Sequence, residues 1–172
     1  MIIILVSGYL KSGKDLFADY LVKNHGFKKY AFAAALKYEV SELYKIKLQT
    51  MNCQVGKATI VQGNKTLRQL LIEHGSFRRS QNIDYWVDIV AKNIKKDSNE
   101  KFVISDNRFP NECIGIEKHF PNAQVLKCRI DRFDKPPLMD HSEIAMDDYK
   151  FDFILENKGS IDEFYNSIEN II

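Results

Sequence analysis

The opening stretch, "MIIILVSGYLKSGKD", constrains this chain more than any other feature. Residues 2–7 form an apolar, β-branched run that stops at Gly8. The run is too short to span a bilayer, and no basic segment precedes it as in a secretion signal. It reads as a strand buried on both faces. Gly8 and Gly13-Lys14 then have the spacing G-x-x-x-x-G-K, and residues 14–24 read as a helix with Leu16, Phe17, Tyr20 and Leu21 on one face and Gly26 as its stop. In a strand, glycine-rich turn and helix, successive backbone N–H groups backed by a helix N-terminus cradle phosphate. Gly8, Lys11, Ser12 and Gly13 would form the cradle, and Lys14 would reach the β- and γ-phosphates. The position that usually carries Ser or Thr is Asp15. Its carboxylate is a hard oxygen ligand suited to Mg²⁺, and an acid in a first helical turn is also favoured by the helix dipole alone. Both readings of Asp15 stand.

The same alternation continues along the chain. Residues 28–33, 101–105, 123–130 and 151–156 read as strands. Residues 35–48, 65–75 (ended by Gly75), 84–95 (capped by Asp84) and 110–119 read as helices, and 50–64 as a loop. In the tail, Ser160 and Glu163 form a capping box ahead of the stripe Ile161, Phe164, Tyr165, Ile168 and Ile172. Short buried strands joined by helices predict an α/β fold: a mostly parallel five-stranded sheet with helices on both faces. Ligands of such sheets bind beyond the carboxyl ends of the strands. That rule points to Gly8–Asp15, Asp106–Glu112 and Arg129–Glu143.

At 172 residues the chain fits one domain, and 45% hydrophobic content suffices for a core. A net charge of +2, with the basic residues spread out, argues against nucleic-acid binding. Cys53, Cys113 and Cys128 form no C-x-x-C pair and read as small buried apolar side chains. An odd cysteine count without a secretory signal fits a reducing compartment, hence a cytoplasmic protein with no membrane association.

Several charged residues follow strands or face the expected cleft. Asp106 ends "FVISD", where an acid can orient Mg²⁺ or the attacking group, or simply cap a turn. Arg68, Arg79 and Arg108 can grip phosphate oxygens in pairs, whereas Arg78 reads as a surface residue. Arg129, Arg132 and Lys135 follow a strand, where they can supply a cationic flap over the transferred group. His141 near Glu143 reads as structural, with no second histidine at ligand spacing. Tyr85 and Trp86 can stack on a base but suit core packing better. A GTP-binding switch would need N-K-x-D, and neither Asn64-Lys65 nor Asn157-Lys158 continues that way.

Taken in order, "SGYLKSGKD", "FAAALK", "LRQLLIEHGSFRRSQNIDYWV", "FVISDNRFPNE" and "HSE" resemble the bacteriophage and viral deoxynucleoside monophosphate kinases. The resemblance covers most of the chain and is weakest over 44–64. The phosphate loop of that family commonly reads G-K-D, so Asp15 is a family mark. The resemblance implies a P-loop, NMP-kinase-like fold in one kinase domain over 1–172, its acceptor-side helical region at about 34–96. It implies an ATP- and Mg²⁺-dependent phosphotransferase, small-molecule nucleotide substrates, a homodimer, and host cytoplasm if the chain is viral. Together with the residue readings above, which supply Lys11, Arg129 and Arg132, it gives catalysis to Lys14, Arg79, Asp106, Arg108 and Arg132, and ATP binding to Gly8, Lys11, Ser12, Gly13, Lys14, Asp15 and Arg129. With the same readings, which supply Trp86 and the metal roles, it gives the acceptor to Lys37, Arg68, Arg79, Trp86, Arg108, Glu112 and Glu143, and the metal to Asp15 and Asp106. The family's H-x-S-E element is one residue short here, as His141-Ser142-Glu143. Animal-type phosphomevalonate kinases look similar over the G-K-D loop, the Gly75–Arg79 spacing and "FDFILENKG"; the R-F-P-N-E run favours the nucleotide kinases. A non-catalytic nucleotide-binding protein would keep the loop but need no arginine set.

Overall fold

The computed structural model describes residues 1–136 and 140–172, and for Gln62 the backbone alone. Five strands form one sheet in the order β2-β5-β1-β6-β7: Lys28–Tyr30, Lys101–Ile104, Ile2–Ser7, Gln124–Asp131 and Phe153–Glu156. Every pairing in it is parallel. β1 is central, with Ile4 opposite Val103 on one side and Leu126 on the other.

The two-residue period of a strand divides the core. Ile3, Leu5, Phe102 and Ile104 face α6 (Tyr85–Lys95) and α7 (Pro110–His119), burying Trp86, Val87, Val90, Ala91, Ile94, Cys113 and Ile116. Ile4, Val6, Val103, Cys128 and Ile130 face α1 (Lys14–His25) and α9 (Ile161–Glu169), burying Phe17, Ala18, Leu21, Phe164 and Ile168. Both faces are therefore covered, which is why these strands read as continuous apolar runs. A third, smaller cluster of Val40, Met51, Leu67, Leu70 and Leu71 holds α2 (Phe32–Tyr44), α3 (Leu48–Asn52) and α5 (Leu67–Gln81) together.

Tertiary contacts correct the sequence reading at several points. β2 ends at Tyr30 and α2 starts at Phe32, because the Asp106 carboxylate takes the N–H groups of Phe32 and Ala33 at 2.8 and 2.7 Å. Residues 50–64 are not a loop: they hold the end of α3, α4 (Gln54–Ala58) and β3 (Ile60–Gln62), which pairs antiparallel with β4 (Lys65–Thr66). One-turn helices are too short to show a period. Gly75 does not end its helix. α5 runs through it to Gln81, making "SFRR" helical, and Trp86 Nε1 donates to the Gly75 carbonyl at 3.3 Å. A Cβ there would lie 3.3 Å from Leu36, so this glycine serves close packing rather than termination. Asp84 occupies the N-cap position of α6, yet its carboxylate accepts from Asn111 rather than from the helix. Cys53 is exposed, while Cys113 and Cys128 are buried as expected. Ile161 and Ile172 are exposed, which narrows the C-terminal stripe to Phe164 and Ile168, with Tyr165 partly buried. The short helix α8 (His141–Ile144) has no sequence signal. Among the described residues no helix is long and apolar enough to cross a membrane.

Candidate active site

The glycine-rich turn joins β1 to α1 at the carboxyl end of the central strand. Gly8 (φ 140°) and Gly13 (φ 108°) lie where side chains are strained, and Lys11 adopts φ 64° between them. A Cβ on Gly8 would approach the Ile130 carbonyl to 2.5 Å, and one on Gly13 would run into the Asn157 amide. Asn157 is buried and donates from Nδ2 to the Ser12 carbonyl at 2.8 Å. No sequence signal points to Asn157; it follows β7, so the sheet brings it to the loop.

Lys14 folds back over the turn. Its Nζ donates to the carbonyls of Gly8 and Tyr9, each at 2.7 Å. Burial, and then the Arg108 charge, push its pKa down to about 8, while Glu143, Asp15 and Asp106 work the other way. Ser12 Oγ is buried and has no hydrogen-bond partner among the described residues. An orphaned buried hydroxyl is costly. Here it sits in a turn kept clear by two glycines, beside an ammonium resting on carbonyls. That arrangement fits a bound phosphate chain.

Beside the loop opens a cleft of about 310 Å³, lined by Phe32, Leu36, Gly75, Arg79, Arg108 and Glu112 among others. Arg79, on α5, donates to Glu112 at 2.9 Å and lies 4.5 Å over the Phe109 ring. Glu112 is 1% exposed and also accepts from the Arg108 and Phe109 backbone and from Asn107 Nδ2, at 2.7, 3.1 and 3.2 Å. Burial pushes its pKa up to about 7 against these donors. Arg108 pairs through Nη1 with Glu143 and donates to the Ser142 carbonyl at 3.3 Å. Asp106 lines the same cleft, and its burial raises its pKa.

The other expected site residues are distributed as follows. Asp15 points to solvent and pairs with Lys29 at 2.8 Å. Arg129 is enclosed: it pairs with Asp147 at 2.7 Å, donates to the Met146 carbonyl, and lies 4.9 Å over the Tyr9 ring. Arg132 is exposed and lies over its neighbour Phe133. Trp86 belongs to the core and shows one edge to the cleft. Lys37 donates to Asn52 at 2.9 Å and Arg68 to Gln54 at 2.6 Å, tying α2 and α5 to the short helices between them. Sequence reasoning missed Lys57 on α4, whose pKa is lowered by burial and by the charges of Lys37 and Arg68. Arg78 is not a free surface residue; it pairs with Glu39 at 2.5 Å, beside His74 and Tyr85 on the same carboxylate. His141 lines the cleft and stacks on Phe109 at 5.9 Å.

Among the described residues no group of three or more His, Cys, Asp or Glu side chains is placed to hold a metal ion. Mg²⁺ on a nucleotide needs no such cage, since phosphates, water and one or two carboxylates complete its shell. Asp106 is the carboxylate at the cleft that fits this part, although both its oxygens already accept backbone N–H groups.

No protein-family model matches the chain, and no curated protein matches it. Solved structures do. Dephospho-CoA kinase from Campylobacter jejuni aligns over 98% of this chain and 94% of its own, with TM-score 0.53 and 15% identity. Shikimate kinase from Aquifex aeolicus covers 99% and 95%, with TM-score 0.51 and 14% identity. The protein TT1252 from Thermus thermophilus covers 99% and 95%, with TM-score 0.55 and 12% identity. The chain shares the α/β fold of these proteins over nearly its whole length.

Proposed function

We propose that this protein is an ATP-dependent phosphotransferase that converts deoxynucleoside monophosphates to diphosphates. The observation that supports the reading is that the glycine-rich turn closed by Lys14 is joined to the cleft lined by Arg79 and Arg108, because Glu143 meets both the Leu10 N–H and Arg108. Phosphoryl transfer needs cations on donor and acceptor phosphates, and little covalent help. The fold shared with dephospho-CoA kinase and shikimate kinase supports a kinase of a small molecule. The acceptor rests on the resemblance of the R-F-P-N-E and "HSE" segments.

In this reading Lys14 and the loop N–H groups hold the donor phosphates. Bound ATP with Mg²⁺ supplies the phosphoryl group and neutralises its charge. Arg79 and Arg108 hold the acceptor phosphate, oriented by the buried carboxylates of Glu112 and Glu143. An acceptor phosphate oxygen forms the new P–O bond as the bond from the γ-phosphorus to the β,γ-bridging oxygen breaks, and ADP leaves. Asp106 orients the metal or the acceptor at the same cleft. Lys37, on α2, and Arg132, after β6, both lie outside the cleft lining.

The test is ADP formation from ATP and Mg²⁺ with a panel of deoxynucleoside monophosphates, ribonucleoside monophosphates and phosphomevalonate. Turnover with one or more deoxynucleotides is the expected result. Turnover with phosphomevalonate alone would keep the donor site and replace the acceptor. ATP binding without ADP formation from any acceptor would leave a non-catalytic nucleotide-binding protein.

A further inference from the structure

Glu143 is nearly buried, with a side-chain exposure of 5%, and its two carboxylate oxygens serve two different sites. Oε2 accepts the Leu10 N–H, at the tip of the phosphate loop, at 2.6 Å. Oε1 pairs with Nη1 of Arg108, whose guanidinium lines the cleft beside that loop. Leu10 and Glu143 are 133 positions apart in sequence, so nothing local requires this meeting. Among the described residues Arg108 uses only Nη1, toward Glu143 and the Ser142 carbonyl. Its Nε and Nη2 have no hydrogen-bond partner among the described residues. The flanking residues fasten the same segment: Asp140 caps α8 through the Ser142 N–H at 2.8 Å, and Asp147 accepts from the Tyr9 hydroxyl at 3.0 Å. A carboxylate held between two partners transmits a shift in one to the other, because its desolvated oxygens cannot be left unpaired cheaply.

We propose that Glu143 is a positioning residue that couples the acceptor-side Arg108 to the phosphate loop, so that the state of Arg108 sets how tightly the loop holds its nucleotide. The coupling rests on the phosphotransferase reading only in needing a nucleotide at the loop.

The experiment is a double-mutant cycle on MgADP affinity, measured by calorimetry with no acceptor present, for the wild type, R108Q, E143Q and the double variant. The E143Q change keeps the length of the side chain and an oxygen for the Leu10 N–H, so the fold is retained; thermal unfolding checks this. R108Q is expected to weaken MgADP about five-fold in the wild-type background, within the usual range of coupling between sites. The same change is expected to have no effect in the E143Q background. A folded set with additive losses would overturn the proposal, and so would an R108Q protein with unchanged affinity. The two readings fail separately. A blank acceptor panel with a non-additive cycle removes the acceptor and keeps the coupling. An additive cycle in an active enzyme removes the coupling alone. A wild type that binds no MgADP removes the donor site and the coupling with it.

Discussion

Lys14 finds both its partners, the carbonyls of Gly8 and Tyr9, within six positions of itself. Arg79 meets Glu112 across 33 positions, and Arg108 meets Glu143 across 35. In the proposed reading the donor side is thus made of backbone: two glycines at positive φ, a helix N-terminus and an ammonium resting on carbonyls. The proposed acceptor side is made of paired charges delivered by α5, the β5–α7 connection, α7 and α8. A backbone cradle binds any phosphate chain in much the same way, whereas paired side chains can be exchanged singly. The difference predicts a donor site that fails as a unit and an acceptor site that can be retuned.

The largest effect is expected from Lys14→Ala, which removes the ammonium that rests on the Gly8 and Tyr9 carbonyls. Phosphotransfer should fall by about 10³-fold, the scale for losing a preorganised charge at a transferring group. The melting temperature should stay near that of the wild type, because alanine is a good helix former at the first position of α1. Activity within about ten-fold of the wild type would break the donor half of the comparison. Arg79→Ala is expected to raise the acceptor KM by about 10- to 100-fold, the scale of one charge-assisted pair. The KM for ATP should change little; an equal rise in both would put Arg79 on the donor side.

Asn157→Ala sharpens the comparison from outside the loop. It leaves the Ser12 carbonyl without its 2.8 Å donor and opens space beside Gly13. Urea unfolding should show a loss of about 1–3 kcal/mol, the cost of one buried polar group left unpaired. MgADP should bind less tightly in the same variant.

A further effect concerns Glu112 and pH. Its pKa rises from the ordinary 4.5 to about 7 on folding. Between those values the folded protein holds a proton that the unfolded chain has released. The resulting stability is present below pH 4.5 and lost as pH rises to about 7. Glu112→Gln should remove that slope, so the stability difference between wild type and variant should change across pH 4.5 to 7 and flatten above it. Parallel denaturation midpoints for the two proteins across that window would show that Arg79 keeps Glu112 ionised throughout.

The sequence is legible where the cause of structure is local. β1, α1 with its Gly26 end, α6, α7 and the Ser160 capping box follow directly from apolar runs, periodicity and caps. It is illegible where the cause lies elsewhere in the chain. The start of α2 is set by Asp106, which follows a strand 74 positions away. Gly75 reads as a stop because glycine ends helices when it is free to turn left-handed. Here Leu36 and Trp86 press on it from two other helices and keep it helical. α3 and α4 are single turns whose stability comes from Met51 in the third cluster and from the Lys37–Asn52 and Arg68–Gln54 contacts. None of these has a sequence period.

The candidate site divides in the same way. The motif G-x-x-x-x-G-K-D marked the glycine-rich turn after β1, and the strand ends placed Asp106 and Arg129 near it. The sequence singled out Arg79 and Arg108 together with Arg68, Arg129 and Arg132; which of these face the cleft depends on the partner each one meets. Arg79 and Arg108 line it, Arg129 is enclosed by Tyr9 and Asp147, and Arg78 is taken by Glu39. By itself the sequence determined the parallel α/β architecture and the glycine-rich turn after β1. Both follow from steric and hydrogen-bond rules acting over a few residues. The tertiary structure alone decided the partners of the charges and the joining of Leu10 to Arg108 through Glu143, since electrostatic pairing acts through space and takes no account of order along the chain.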